Sequence, residues 1–183
     1  MTKGKTELAS FENSSYNPGS FLRRSLWYII NVFFCKSSQP SSKIRILLLR
    51  LFGAKIGKGV IIKPSVNIKY PWKLDVGDFV WIGEGVWIDN LDAVTIDKNV
   101  CISQGAMLFC GNHNYKKSTF DLQTAPIRIN EGVWVGAKSV ICPGVICESH
   151  SLLTVGSVAT KSLDAYSIYK GNPAVKTRDR IIQ

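Results

Sequence analysis

An aliphatic or small residue returns at every sixth position through most of this chain. The series runs Ile56, Ile62, Ile68, then Val76, Ile82, Ile88, then Ile96, Ile102, Leu108, and after a gap Ile129, Val135, Ile141, Cys147, Leu153, Ala159. A period of six fits neither a helix, at about 3.6 residues per turn, nor an alternating strand. It suits short strands joined by tight turns, each six-residue unit forming one flat face of a coil. Three faces close a coil, and stacked coils bury the aliphatics in one continuous column.

The other positions of the unit agree. Four residues after most of these aliphatics stands a second small or branched residue, from Val60, Val66 and Val80 through to Ser139, Ser151 and Ser157. The residue just after is often Gly or small, as at Gly57, Gly77, Gly83, Ser103 and Gly136. The phase slips by two residues between Ile68 and Val76, and again between Ile88 and Ile96, as longer corners would produce. About five coils fit between residues 56 and 164.

The rhythm stops between Leu108 and Ile129. The gap opens on Cys110-Gly111-Asn112-His113-Asn114-Tyr115 and holds one of only two histidines, the other being His150. Residues 114–125 lack repeat character and are long for a turn in a tight solenoid, so an extruded, functional loop is expected over 112–126.

The repeat is preceded by a different texture. Residues 1–18 are a polar leader, expected to be loosely ordered. An amphipathic helical segment is expected over 19–53, broken at 37–42 around Pro40. Its apolar stretch at residues 26–35 is about half the ~20 residues that span a bilayer. Cations flank both runs: Arg23, Arg24 and Lys36 on the first, Lys43, Arg45 and Arg50 on the second. Such helices can cap the open end of the column or lie on a membrane surface.

The net charge of +10 belongs mainly to this end. Residues 1–63 carry eleven Lys or Arg against two Glu, whereas residues 64–183 carry twelve against eleven acids. Phosphate-bearing ligands or an anionic membrane account for that excess as well as nucleic acid does, and no nucleic-acid partner is expected. The five cysteines show no CxxC or zinc spacing and read as reduced thiols of a cytosolic protein. The first twenty residues are too polar for a cleavable signal peptide. Two histidines cannot build a three-histidine metal centre in one chain, and no metal is expected.

Four motifs make the repeat more specific: Ile82-Gly83-Glu84-Gly85-Val86-Trp87-Ile88, Asn112-His113-Asn114-Tyr115, Val140-Ile141-Cys142-Pro143-Gly144-Val145 and Gly171-Asn172-Pro173-Ala174. With the repeat they resemble the hexapeptide-repeat O-acetyltransferases of bacterial polysaccharide synthesis. The closest resemblance is to the colanic-acid type, related to galactoside and maltose acetyltransferases, over roughly residues 44–178. That resemblance implies a mainly β fold, a left-handed parallel β-helix over 54–164, after the N-terminal α-helical segment and before a C-terminal tail at 165–183. It also implies acetyl-CoA as co-substrate, a sugar or polysaccharide-precursor acceptor, and a homotrimer with sites at subunit boundaries. A cytoplasmic location follows, free or held peripherally on the inner face of the membrane through residues 19–52.

An alcohol is a poor nucleophile until its proton leaves, and an imidazole titrating near neutrality suits that task. In the resembled families the loop histidine deprotonates the acceptor hydroxyl for direct attack on the thioester, which assigns that role to His113. Glu84, Asp89 and Asn90 are candidates to orient it. Asp89, Asn112 and Tyr115 are candidate acceptor contacts. The galactoside enzymes' acceptor-binding Asn aligns here with Gly85, so the acceptor itself stays open. Gly136 and Ala137 are candidate oxyanion donors. Ala137, Val155, Thr160 and Lys161 match donor-binding positions, with Lys176 and Arg178 as phosphate partners. Trp81, Trp87 and Trp134 suit burial between subunits or stacking on a sugar. His150 is expected to have no chemistry. The alternatives are N-acetyl transfer to an amino acid or amino sugar, and a non-catalytic scaffold at the membrane.

Overall fold

Each six-residue unit forms a strand of two or three residues and a turn, and successive units build the three walls of a prism. In this computed structural model, which describes residues 4–39 and 41–183, all three walls are parallel sheets. Pro40, placed at the expected helix break, and residues 1–3 of the leader lie outside the described residues. The first wall stacks Lys55–Ile56, Leu74–Val76, Val94–Ile96, Ile127–Ile129 and Ile146–Cys147. The second begins with Ile61–Ile62 and Trp81–Ile82, and the third with Asn67–Ile68 and Trp87–Asp89.

Register puts like on like. Ile56, Val76, Ile96, Ile129 and Cys147 face one another up the first wall. Every aliphatic of the six-residue series is buried, and so is the residue four places after it except at the third-to-first corners after Ile68, Ile88 and Leu108. The Gly that follows the aliphatic has a steric cause. A Cβ on Gly77 would meet the Lys98 backbone nitrogen at 2.7 Å, and one on Gly136 the Val155 nitrogen at 2.6 Å. Neither neighbour can yield, because both are backbone of the next coil. The two phase slips are longer third-to-first corners, one a 3-10 turn at Pro71–Lys73 and the other the bend after Asn90.

The expected column of about five coils is present: five are complete and a sixth is begun. Leu163 bridges to Cys147 on the first wall, and Ser167–Gly171 adds to the second beside Leu152–Leu153. The segment read as a tail is a hairpin, Ser167–Gly171 turning back antiparallel onto Ala174–Asp179.

Two helices close the opposite end. α1 (Phe21–Ile30) is N-capped by the Ser20 hydroxyl and runs into a π turn at Asn31–Cys35. α2 (Ser42–Leu51) is capped by Ser41. Their inner faces serve the otherwise bare edge of the first coil. Trp27 Nε1 donates to the Ile68 carbonyl at 2.8 Å, an Arg50 guanidinium nitrogen to Ile56 at 2.6 Å, and the fully buried Arg45 to Ile62 at 3.4 Å. Their outer faces leave Phe21, Leu22, Tyr28, Phe33, Leu47 and Leu51 exposed. Among the described residues, no helix is long and apolar enough to cross a membrane.

Candidate active site

His113 stands on a small hairpin pushed out of the third-to-first corner of the third coil. Gly111–His113 pairs antiparallel with Leu122–Thr124, with His113 opposite Leu122. The connecting turn closes on itself through Asn114 N–H to the Asp121 carbonyl (2.8 Å) and a Lys117–Asp121 ion pair (2.8 Å). That turn carries Phe120 at φ 51° and aims its carbonyl at the imidazole: His113 Nδ1 lies 2.9 Å from the Phe120 oxygen. A carbonyl only accepts, so Nδ1 holds the proton and Nε2 keeps its lone pair. The Phe120 ring stacks on the imidazole at 4.4 Å and 7°, and Phe11 of the leader lies tilted against it at 5.7 Å. The leader is tied there by Glu7 N–H to the Ser118 carbonyl and by Tyr16 OH to the Leu91 carbonyl, each 2.8 Å.

The expected orienters are not what holds this histidine. Asn90 is fully buried, and both ends of its amide clasp Tyr70, accepting from its N–H at 2.9 Å and donating to its carbonyl at 2.6 Å. It fastens one corner to the next, and among the described residues no hydrogen bond joins it to His113. Asp89 pairs with Lys69 at 2.8 Å. Glu84 is exposed on a different corner, between the second and third walls. Phe120 is the residue that sequence reading missed, since nothing in a sequence marks a backbone carbonyl. Asn112 is exposed and accepts the His113 N–H at 2.8 Å, and Tyr115 projects from the turn at 75% exposure.

A cavity of about 470 Å³ opens on the second wall and its corner with the third. It brings together four of the expected donor contacts, Gly136, Ala137, Val155 and Arg178. Ser103, Gln104, Trp134 and Thr154 also line it, with Leu152, Leu153 and Ile168 of the second wall, and the signal of the first four in the sequence was their place in the repeat beside Gly136. The Gly136 N–H already donates to the Leu153 carbonyl at 2.7 Å, which removes it as an oxyanion donor; Ala137 N–H has no backbone acceptor among the described residues. Lys176 is held by Asp179 at 2.9 Å and does not line the cavity. Thr160 and Lys161 are exposed on the third-to-first corner, two coils beyond His113.

The candidate residues therefore divide between two edges of the prism. His113, Asp89, Thr160 and Lys161 stand on one, and the cavity with Glu84 on the other, a full wall away. No cysteine competes as nucleophile. Burial pushes the thiols of Cys35 and Cys110 up to about 11 and that of Cys147 to about 12. All five cysteines are unpaired. Among the described residues, no group of three or more His, Cys, Asp or Glu is arranged to hold a metal ion. His150 packs against Tyr166 at a corner, with φ 58°.

No protein-family model matches the chain. It is 38% identical over 167 residues to the colanic acid biosynthesis acetyltransferase WcaF of Escherichia coli K12, covering 91% of this chain and 92% of that protein. It is 27% identical over 146 residues to the galactoside O-acetyltransferase of the same organism, covering 78% and 72%. A hexapeptide-repeat acetyltransferase of Vibrio cholerae, solved with acetyl coenzyme A, shares the fold with a TM-score of 0.82 over 96% of each chain at 20% identity. The chain belongs to the hexapeptide-repeat acetyltransferases, and within them to the colanic acid biosynthesis type.

Proposed function

We propose that this enzyme transfers the acetyl group of acetyl-CoA to a sugar hydroxyl in exopolysaccharide or capsule synthesis, with His113 as general base. The observation that carries the reading is the Nδ1 contact to Phe120, which in the neutral ring leaves the Nε2 lone pair available to take a proton. Acetyl-CoA supplies an acetyl group activated as a thioester. His113 Nε2 removes the acceptor hydroxyl proton as the oxygen bonds to the acyl carbon. The imidazolium then returns that proton to the departing thiolate. Ala137 N–H is the backbone donor suited to the oxyanion between those steps.

The 470 Å³ cavity fits the donor. It is in the size range of ligand sites, its Gly136 floor has no Cβ, and Arg178 brings a guanidinium suited to a phosphate. The separation of the two edges supports a site completed by a second copy, the His113 edge of one subunit facing the cavity edge of the next. A head-to-tail contact of that kind closes into a ring when its rotation divides the circle, and the ring proposed is a homotrimer with three sites at its boundaries. The exposed apolar face of α1 and the basic N-terminal third support peripheral contact with the cytoplasmic membrane surface.

The reaction is tested by incubating the enzyme with acetyl-CoA and a panel of sugars, including lipid-linked precursors, and treating the product with hydroxylamine. An ester is cleaved and an amide survives. Acceptor-dependent, hydroxylamine-labile acetylation is expected; a stable product overturns O-acetylation in favour of N-acetylation.

A further inference from the structure

A cavity of about 550 Å³ is separate from the donor cavity and, of the candidate residues on the His113 edge, meets only Asp89. It lies between α1 and the outer side of the third wall in the first two coils. Trp87 and Tyr70 form its floor, and Tyr28 and Ile29 its helical side. Three cations line it, Arg24, Lys36 and Lys69, against the single carboxylate of Asp89. Lys69 and Asp89 are paired, so Arg24 and Lys36 have no counter-charge there. Arg24 Nε is buried without a hydrogen-bond partner, and so is the Oδ1 of the 6% exposed Asn31.

A buried guanidinium nitrogen with nothing to donate to is unfavourable unless an acceptor arrives. The mouth of the hollow adjoins the stretch of α1 that exposes Tyr28 at 69% and Phe21 at 77%. Cations within an apolar groove, opening beside an apolar surface, suit a phosphate head joined to a hydrocarbon chain. Inorganic phosphate gains nothing from the aromatic floor, and a neutral chain gains nothing from Arg24. The +9 excess of residues 1–63 complements the same partner. We propose that this groove seats one anionic phospholipid, its phosphate on Arg24 and Lys36 and its upper acyl chain along Tyr28 and Trp87. The proposal rests on the membrane contact proposed above and gives it a defined lipid site.

The test is co-sedimentation of the full chain with phosphatidylcholine vesicles, with and without phosphatidylglycerol. Two double variants lose equal charge: Arg24→Gln with Lys36→Gln in the groove, and Lys43→Gln with Lys63→Gln outside it. Arg24 and Lys36 make no ion pair among the described residues, so the fold should survive their loss. Binding only to phosphatidylglycerol vesicles is expected, weakened about tenfold or more by the groove pair and about threefold or less by the control pair. Equal losses would reduce the interaction to diffuse charge and overturn the seat alone. Failure of the unaltered chain to bind any vesicle would overturn the membrane contact itself. In a parallel titration, short-chain phosphatidylglycerol should change tryptophan fluorescence saturably where inorganic phosphate does not, and equal responses contradict the apolar half of the site. A groove pair that keeps lipid binding but raises KM for the sugar would assign the cavity to the acceptor instead.

Discussion

The Nδ1 nitrogen of His113 is 2.9 Å from the Phe120 carbonyl oxygen, and the two rings stack 4.4 Å apart. One residue thus fixes both the tautomer and the plane of the imidazole. Phe120 holds a left-handed φ of 51°, which a side chain of this size adopts only when its surroundings impose it.

Replacing Phe120 by Ala keeps the carbonyl and removes the stacking ring. We expect kcat to fall about tenfold through looser positioning of the base, with KM for acetyl-CoA and Tm nearly unchanged. Steady-state kinetics and a thermal melt read this directly. An unaltered kcat would show that the carbonyl alone suffices.

The same turn carries a pH dependence. Its hydrogen bond to Lys117, then that to Thr119, holds the Asp121 carboxyl below the ordinary value of 3.8. A depressed acid stabilises the folded turn above its unfolded value and loses that contribution as pH falls through the folded one. The ion pair is exposed, so the effect stays local. Proteolysis of the 114–121 turn by an acid-active protease should accelerate below about pH 3.8, and Asp121→Asn should show the faster cleavage already at pH 6. Equal cleavage of both proteins at every pH would remove the pair from the turn's stability.

Gly136 tests the donor cavity. A Cβ there meets the Leu153 carbonyl oxygen at 2.7 Å and the Val155 nitrogen at 2.6 Å, both backbone of the following coil. Gly136→Ala must push adjacent coils apart at the cavity floor, costing about 1–3 kcal/mol by analogy with overpacked cores. Calorimetry should record at least tenfold weaker coenzyme A binding together with a lower Tm. Wild-type affinity in the variant would move the donor elsewhere.

Much of this architecture can be read from the sequence because it repeats. Ile82 and Ile102 predict each other's burial, since a stacked coil presents the same environment at each level. His113 stands out for the opposite reason, as the imidazole where repetition stops. The rest depends on contacts between segments far apart in the chain. Asn90 reads as a catalytic candidate, yet its amide is taken by Tyr70 twenty residues earlier. Phe11 lies in a leader with no periodicity and still reaches the His113 ring. The α1 groove arises only when helix and wall meet. The six-residue pattern also says nothing of where the last coil ends, because Ser167–Gly171 joins the second wall after the repeat has faded.

The two-edge arrangement predicts complementation between inactive subunits. His113→Ala disables one edge and Arg178→Glu the other. Co-assembled after dissociation and mixing, the two proteins should recover a fraction of wild-type activity, because some boundaries pair an intact His113 edge with an intact cavity edge. No recovery, with mixed oligomers demonstrated by mass spectrometry, would place the whole site within one chain.

The most direct measurement is release of the coenzyme A thiol from acetyl-CoA in the presence of an accepted sugar, comparing wild type with His113→Ala. Removal of the general base should lower kcat by about 10²–10⁴-fold, leaving KM for acetyl-CoA within about threefold, since Gly136, Val155 and Arg178, not His113, line the donor cavity. Acceptor-dependent turnover of similar size in both proteins would contradict the assignment of His113 as the base.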